Sequence, residues 1–377
     1  MDKMGKGDKW QDALDGYLRA GEPGRTEKSA AWKTAIGLQA VDGLETSPYL
    51  LETAREHIEG RVDIAEAQRR IENYYKVRGG RRAIEAGTRE ADIVSSRIAE
   101  LLGEPAFQFS PAELASIHRR LFAGVFPHAG RLRDCNITKK EWVLDGDTVL
   151  YASWESLRET LDYDFGAEKG FSYDGLTLVE SIRHLAGFVS GIWQIHPFRE
   201  GNTRTTAVFF LRYLRTFGFR VGNDAFAAHS WYFRNALVRA NYNNLAKGIH
   251  ATDRFLVEFL ENLLAGGRHE LKNRRLHVAY PADGAPPQSA TVEPPKHQNG
   301  TMDGTLDCTL VELALLRAIA EHPKSTQKQL AAKIGKSERT VKRMTVALQA
   351  KELLRRENGR RNGRWEVLAG NLGGDGA

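Results

Sequence analysis

The chain has 377 residues, of which 41% are hydrophobic, and a formal net charge of +6, which fits a soluble globular protein of two or three domains. Two cysteines, Cys135 and Cys308, are too few for a disulfide framework, and the opening MDKMGKGDKW lacks the apolar stretch of a secretory signal, so a reducing, cytoplasmic setting is expected. No apolar run approaches the roughly 20 residues that cross a bilayer; the richest, 185–195, is broken by Gly187, Gly191 and Gln194, so no membrane partner is expected.

Residues 1–90 read as an N-terminal helical region. Apolar periodicity predicts helices over 32–41, over 50–58 behind Ser47-Pro48-Tyr49, and over 67–75. Asp63 and Glu66 start the last one in the spacing of a capping box, with Asp in place of Ser or Thr.

Residues 91–267 read as one mostly helical domain, with amphipathic segments at 111–121, 157–161, 176–195, 205–217, 231–245 and 253–264. One interruption, KKEWVLDGDTVLYAS at 139–153, puts β-favouring residues on both sides of Asp145-Gly146-Asp147 and predicts a short hairpin on the helical body.

Between two apolar helices stands IHPFREGNTRTT, residues 195–206. Gly201 permits backbone angles that other residues resist, just before a helix start near Asn202 or Thr203 whose free amides suit a phosphate. Arg204 can add a forked positive contact, and Glu200 is a hard oxygen ligand of the kind Mg²⁺ uses when shared with phosphates. His196, held by Pro197 and by a core-facing Phe198, can take a proton from an attacking hydroxyl. Singly, each of these residues is more often structural or a solvated charge; in this order within one loop they describe a nucleotide polyphosphate site.

His196-Pro197-Phe198-Arg199-Glu200-Gly201-Asn202-x-Arg204 resembles the signature loop of the Fic-domain family, His-Pro-Phe-x-(Asp/Glu)-Gly-Asn-Gly-Arg-x-x-Arg. The resemblance extends through the preceding helix, the hairpin and Phe126-Pro-His-Ala-Gly-Arg-Leu-Arg133. It implies a helical Fic fold with a β-hairpin flap, and transfer of AMP from ATP to a Ser, Thr or Tyr hydroxyl of a target protein, with release of pyrophosphate. It assigns His196 as general base and Glu200 as the Mg²⁺ ligand. Phe198, Gly201, Asn202, Thr203 and Arg204 become the nucleotide-binding loop, and the flap holds the target by strand addition. A homodimer is also common among such proteins.

Two positions depart from the pattern: Thr203 replaces a glycine, and Ala207 replaces the second arginine, which normally meets the terminal phosphate. Transfer of a different phosphate-containing group therefore stays open. The family also carries an inhibitory helix, (Ser/Thr)-x-x-x-Glu-(Gly/Asn), whose glutamate pairs with that second arginine. Residues 30–76 resemble the antitoxin-like unit fused before some Fic domains, with Leu38-x-x-x-Asp42-Gly43 as the nearest match. Asp42 and Gly43 are the candidate inhibitory residues, although Ala207 removes the usual ion-pair partner; a helical subdomain that merely packs on the core is the alternative.

Residues 268–305 read as a linker, since 275–304 holds five of the twelve prolines and no apolar periodicity. From 306 to 369 the pattern is helix 310–320, helix 327–334 opened by Ser325-Thr326, helix 338–351 capped by Ser337, then two strands around 357–363. This resembles a winged helix-turn-helix domain, whose third helix enters the major groove. Residues 324–364 carry thirteen Lys or Arg against three Glu. Lys336, Arg339, Thr340, Lys342 and Arg343 on the helix, with Arg360, Arg361 and Arg364 on the wing, are the candidate contacts to duplex DNA; docking to a protein is the alternative use. Gly335-Lys336-Ser337 is no phosphate-binding P-loop, because Leu330 stands where that motif needs glycine.

Two functional classes emerge. One is an adenylyltransferase using ATP and Mg²⁺; the other is a DNA-binding regulator whose Fic domain senses nucleotide with weak catalysis.

Overall fold

The computed structural model describes residues 8–78, 83–219, 225–280, 307–357 and 363–368. Five helices come first: α1 (Asp8–Ala20), α2 (Pro23–Gly37), α3 (Pro48–Ile58), α4 (Ile64–Arg78) and α5 (Ala83–Gly103). Ser47 caps α3 by accepting the Leu50 amide, and its own amide and hydroxyl donate to Asp92 of α5, which also accepts from Tyr75 of α4 at 2.7 Å. The boundary expected near residue 90 falls inside α5, so the N-terminal helices and the central domain share a continuous rod.

The central body contains α6 (Pro111–Phe122), α7 (Leu157–Gly170), α8 (Leu178–Ile195), α9 (Asn202–Thr216), α10 (Ala225–Ala240) and α11 (Arg254–Ala265). Helix α9 is buried at every position from Asn202 to Leu214, as expected of a helix surrounded by others. Helix α10 starts earlier than the periodicity suggested, with a kink at His229, and ends before Asn241. Helix α2 approaches α10 so closely that a Cβ on Gly37 would collide with the backbone of Ala227, and Ser230 donates to the Gly37 carbonyl at 2.6 Å. This contact sets the next five residues, the 3-10 turn Leu38–Asp42, against the start of α9.

Segment 139–153 does not form the expected hairpin. It contains a 3-10 turn, Trp142–Leu144, followed by left-handed Asp145 and Gly146. Val143, Leu144 and Val149 turn inward and are buried, while buried Glu141 pairs with Arg234 of α10 at 2.7 Å. Two isolated strands are marginal in water, and here burial of both apolar arms replaces cross-strand pairing. Residues 268–280, read as linker, instead extend the body. Leu271 and Leu276 are buried, and the Val278 amide donates to the Val143 carbonyl at 2.9 Å.

The C-terminal unit comprises α12 (Leu310–Glu321), α13 (Gln327–Ile334), α14 (Glu338–Ala350) and the antiparallel pair β1 (Leu354–Glu357) and β2 (Arg364–Val367), with Leu354 opposite Val367. These are the only paired strands among the described residues. Left-handed Gly218 lets α9's end meet Ala314 and Ile334, and the Leu178 amide donates to the Cys308 carbonyl at 3.1 Å. Among the described residues no helix is long and apolar enough to cross a membrane.

His118 of α6 fastens the loop between α8 and α9. Its Nδ1 accepts the Gly130 amide at 2.8 Å, which puts the proton on Nε2, and Nε2 donates to the Glu200 carbonyl at 3.0 Å. Burial pushes its pKa down to about 4. The unfolded chain takes up this proton near pH 6.5, so the contribution to stability is complete above that pH and is lost as pH falls towards 4. At about 1.4 kcal/mol per pKa unit it amounts to about 3 kcal/mol. Burial lowers His57 to about 4 as well, with the same sign. Urea unfolding should show stability falling between pH 6.5 and 4, with a shallower slope in His118→Asn; an unchanged slope in that variant would contradict the assignment.

Candidate functional site

The loop between α8 and α9 is held by its own backbone contacts. His196 caps α8 in the left-handed conformation, φ 50° and ψ 57°, at a cost of roughly 1 kcal/mol for a residue with a Cβ. Arg133, itself buried, offsets this by gripping four carbonyls: its Nε donates to His196 at 2.8 Å, its Nη1 to Cys135 at 2.8 Å, and its Nη2 to Ile195 and Ala152. Phe198 is buried and stacks on His118 with ring centroids 3.8 Å apart.

The His196 imidazole has one possible tautomer. Nδ1 lies 3.2 Å from the Trp193 carbonyl, which only accepts, so Nδ1 carries the proton and Nε2 is a bare acceptor. Nε2 is buried and has no hydrogen-bond partner. Burial first, then the nearby Lys139, Arg234 and Arg133 charges, hold its pKa well below 6.5. The Tyr151 ring lies over it, 4.2 Å between centroids, and the Trp193 edge closes another side. A neutral acceptor fixed in direction can take a proton, and the burial that lowers its pKa makes it a weaker base than a free imidazole.

Gly201 has φ 74°, and a Cβ there would collide with the Phe122 ring. Helix α9 therefore starts at Asn202 with its first amides facing the loop, free of intrahelical acceptors. The side chains expected to cradle phosphate are engaged elsewhere. Asn202 bridges the Phe198 amide and carbonyl at 2.9 and 2.7 Å, so it shapes the loop. Thr203 accepts the Trp193 indole N–H at 3.0 Å and points into the core, which is how the chain accommodates a non-glycine at that position. Ala207 is fully buried.

Arg204 is 1% exposed and faces the N-terminal helices. Its Nε forms an ion pair with Asp42 at 2.8 Å, without hydrogen-bond alignment. Nη2 donates to Glu90 at 2.6 Å, Nη1 donates to Gln39 at 3.0 Å, and the Phe122 ring lies beneath. The missing second arginine thus does not prevent an ion pair to Asp42, which takes the first arginine instead. Left-handed Gly43 ends the 3-10 turn that presents Asp42.

Glu200 is half exposed and meets Lys139 at 3.0 Å. Among the described residues no three His, Cys, Asp or Glu side chains gather as a metal cage, so a Mg²⁺ at Glu200 fits only if phosphates complete its shell. Lys139, His118, Arg133, Gln39 and Glu90 were not singled out from the sequence. Lys139 stood within the hairpin segment and Arg133 within the matched stretch, but nothing in either pattern showed which way they turn.

On the C-terminal unit, Ser337 caps α14 and accepts the Thr340 amide at 3.1 Å. Lys336, Arg339, Lys342 and Arg343 are exposed on and before α14, whereas Thr340 is half buried and its hydroxyl bonds Ser337. Arg364 is paired with Glu357 at 2.8 Å. Arg360 and Arg361 lie outside the described residues.

No curated protein matches the chain. Among solved structures it is similar to the N-terminal Fic domain of a VirB-translocated Bep effector protein from Bartonella sp. AR 15-3. Identity is 21% and the TM-score 0.40, over 49% of this chain and 84% of that one. The model of the Fic/DOC family matches residues 108–214 and that of the MarR family residues 308–364. The chain therefore carries a Fic/DOC-family domain at 108–214, followed by a MarR-family winged helix at 308–364.

Proposed function

We propose that this chain transfers AMP from ATP onto a Ser, Thr or Tyr hydroxyl of a protein. In the conformation described, its own N-terminal helices hold it off. The observation that carries the reading is the bare, buried Nε2 of His196 beside the amide end of α9.

The target hydroxyl gives its proton to Nε2 as its oxygen bonds to the α-phosphorus. The bond from that phosphorus to the β-bridging oxygen breaks, and pyrophosphate leaves. The Trp193 carbonyl, already bonded to Nδ1, stabilises the imidazolium that forms. Because the Tyr151 ring covers the imidazole, the hydroxyl enters only when 148–153 shifts. The amides of the first α9 turn donate to the phosphate oxygens. Mg²⁺ held by Glu200 would neutralise the phosphates. With Arg204 sealed and Ala207 apolar, Lys139, which pairs with Glu200 at 3.0 Å, is the cation we assign to meet them.

A second reading, a nucleotide-sensing regulator, is favoured by the sealing of Arg204. Labelled ATP separates the two, tested on the full chain with Asp42→Ala, with and without cell extract. The expected outcome is α-label on protein, reduced about a hundredfold or more when His196→Ala is added. Label from the γ-phosphate would point to transfer of another group, and no label from either position to the sensor.

The exposed cations of α14 support duplex DNA as a partner of the C-terminal unit. Binding should fall steeply with salt, and Arg339→Ala with Arg343→Ala should weaken it and flatten the log–log salt slope by about 0.9 for each phosphate contact removed. Unchanged affinity and slope would point to protein docking.

A further inference from the structure

A cavity of about 330 Å³ opens between α4, α5 and the turn after α6, and no residue of the His196 loop lines it. Its walls bring three cations together: Lys76 from α4, and Arg89 and Arg97 from α5. On α5 the lining residues Arg89, Ile93 and Arg97 stand four apart and share one face.

Glu72 is the single carboxylate in the lining, and it stays at the edge of contact: 4.0 Å from Lys76 and 3.6 Å from Arg97. Arg89 has no carboxylate partner among the described residues; the Arg97 pKa is lowered by burial first and by the Arg89 charge as well, against the opposing pull of Glu72 and Glu100. Arg97 is fixed in place, donating to the Leu121 and Ala123 carbonyls at 3.1 and 2.7 Å. The rest of the wall is Ile93, Ala123, Gly124 and the Tyr75 ring, whose hydroxyl is already taken by Asp92. Cations are therefore in excess in a concave, partly apolar site at the lower end of ligand-pocket size.

We propose that this cavity binds a small phosphorylated molecule. Arg89, Arg97 and Lys76 meet the phosphate, and the Tyr75, Ile93 and Ala123 wall takes the attached group. The occupant bridges α4, α5 and the turn after α6, and so ties the N-terminal helices to the central body. Arg89 is adjacent on α5 to Glu90, which holds Arg204, so the site borders the cluster that seals the nucleotide loop.

The test is calorimetric titration of the full chain with inorganic pyrophosphate and, separately, with ribose 5-phosphate. Saturable binding of at least one probe is expected. The exposed pair Lys76→Glu and Arg89→Glu should weaken it tenfold or more, whereas Lys139→Glu, at the loop near His196, should leave it unchanged. Three outcomes overturn the proposal: no binding of either probe at millimolar concentration, equal affinity in the Lys76→Glu Arg89→Glu variant, or loss of binding in Lys139→Glu instead. The last would place the anion at the loop. Ribose 5-phosphate is neither reactant nor product of the proposed transfer, so its arm does not depend on whether the chain transfers AMP.

Discussion

The burial of one guanidinium organises this molecule. Arg204 leaves water at the start of α9 and is balanced by Asp42, Glu90 and Gln39, three groups from the N-terminal side of the chain. A buried charge is tolerable only when its partners are in place, and removing one member of such a cluster typically costs about 3–5 kcal/mol. The same contact fastens the N-terminal helices to the central body and turns the arginine of the first α9 turn away from the loop at 196–201. In the reading proposed above, attachment of the N-terminal helices and restraint of the site share this one set of ion pairs. The arrangement needs α2 and α10 to touch through Gly37, since any side chain there would push the 3-10 turn, and Asp42 with it, away from α9.

The rest of the site follows a different logic, in which polar groups hold backbone so that a few others stay unpaired. Arg133 binds the carbonyls around His196, His118 binds that of Glu200, and Asn202 closes the loop across Phe198. What remains unsatisfied is the Nε2 of His196, with the first amides of α9 aimed at the same loop. Positioning of this kind is stored in the fold and needs no rearrangement when charge develops. It also explains why Thr203 is tolerated, because the indole of Trp193 draws its side chain into the core.

Much of this was legible in the sequence wherever local chemistry determines local structure. The order of His196, Glu200, Gly201 and Asn202 announced a tight loop at a helix start, and the caps at Ser47, Ser337 and Thr326 marked helix starts that the structure has. The winged-helix pattern was readable from Leu310 onward for the same reason. What was not legible depends on distant partners. The fate of Arg204 is set by residues 114 and 165 positions away. Segment 139–153 has the composition of a hairpin but has no third strand to stabilise one, so it buries its apolar residues in the body. Leu271 and Leu276 looked like part of a linker because two buried leucines give no periodicity to read.

The most direct measurement of the central claim is the affinity of the full chain for ATP with Mg²⁺, in the native sequence and in Asp42→Ala, by isothermal titration calorimetry. Release of Arg204 should tighten binding tenfold or more, and adding Arg204→Ala should abolish that gain. Equal affinity in the native and Asp42→Ala chains, with both shown to be folded, would mean that the buried guanidinium has nothing to do with nucleotide, and the account of a restrained site would fail.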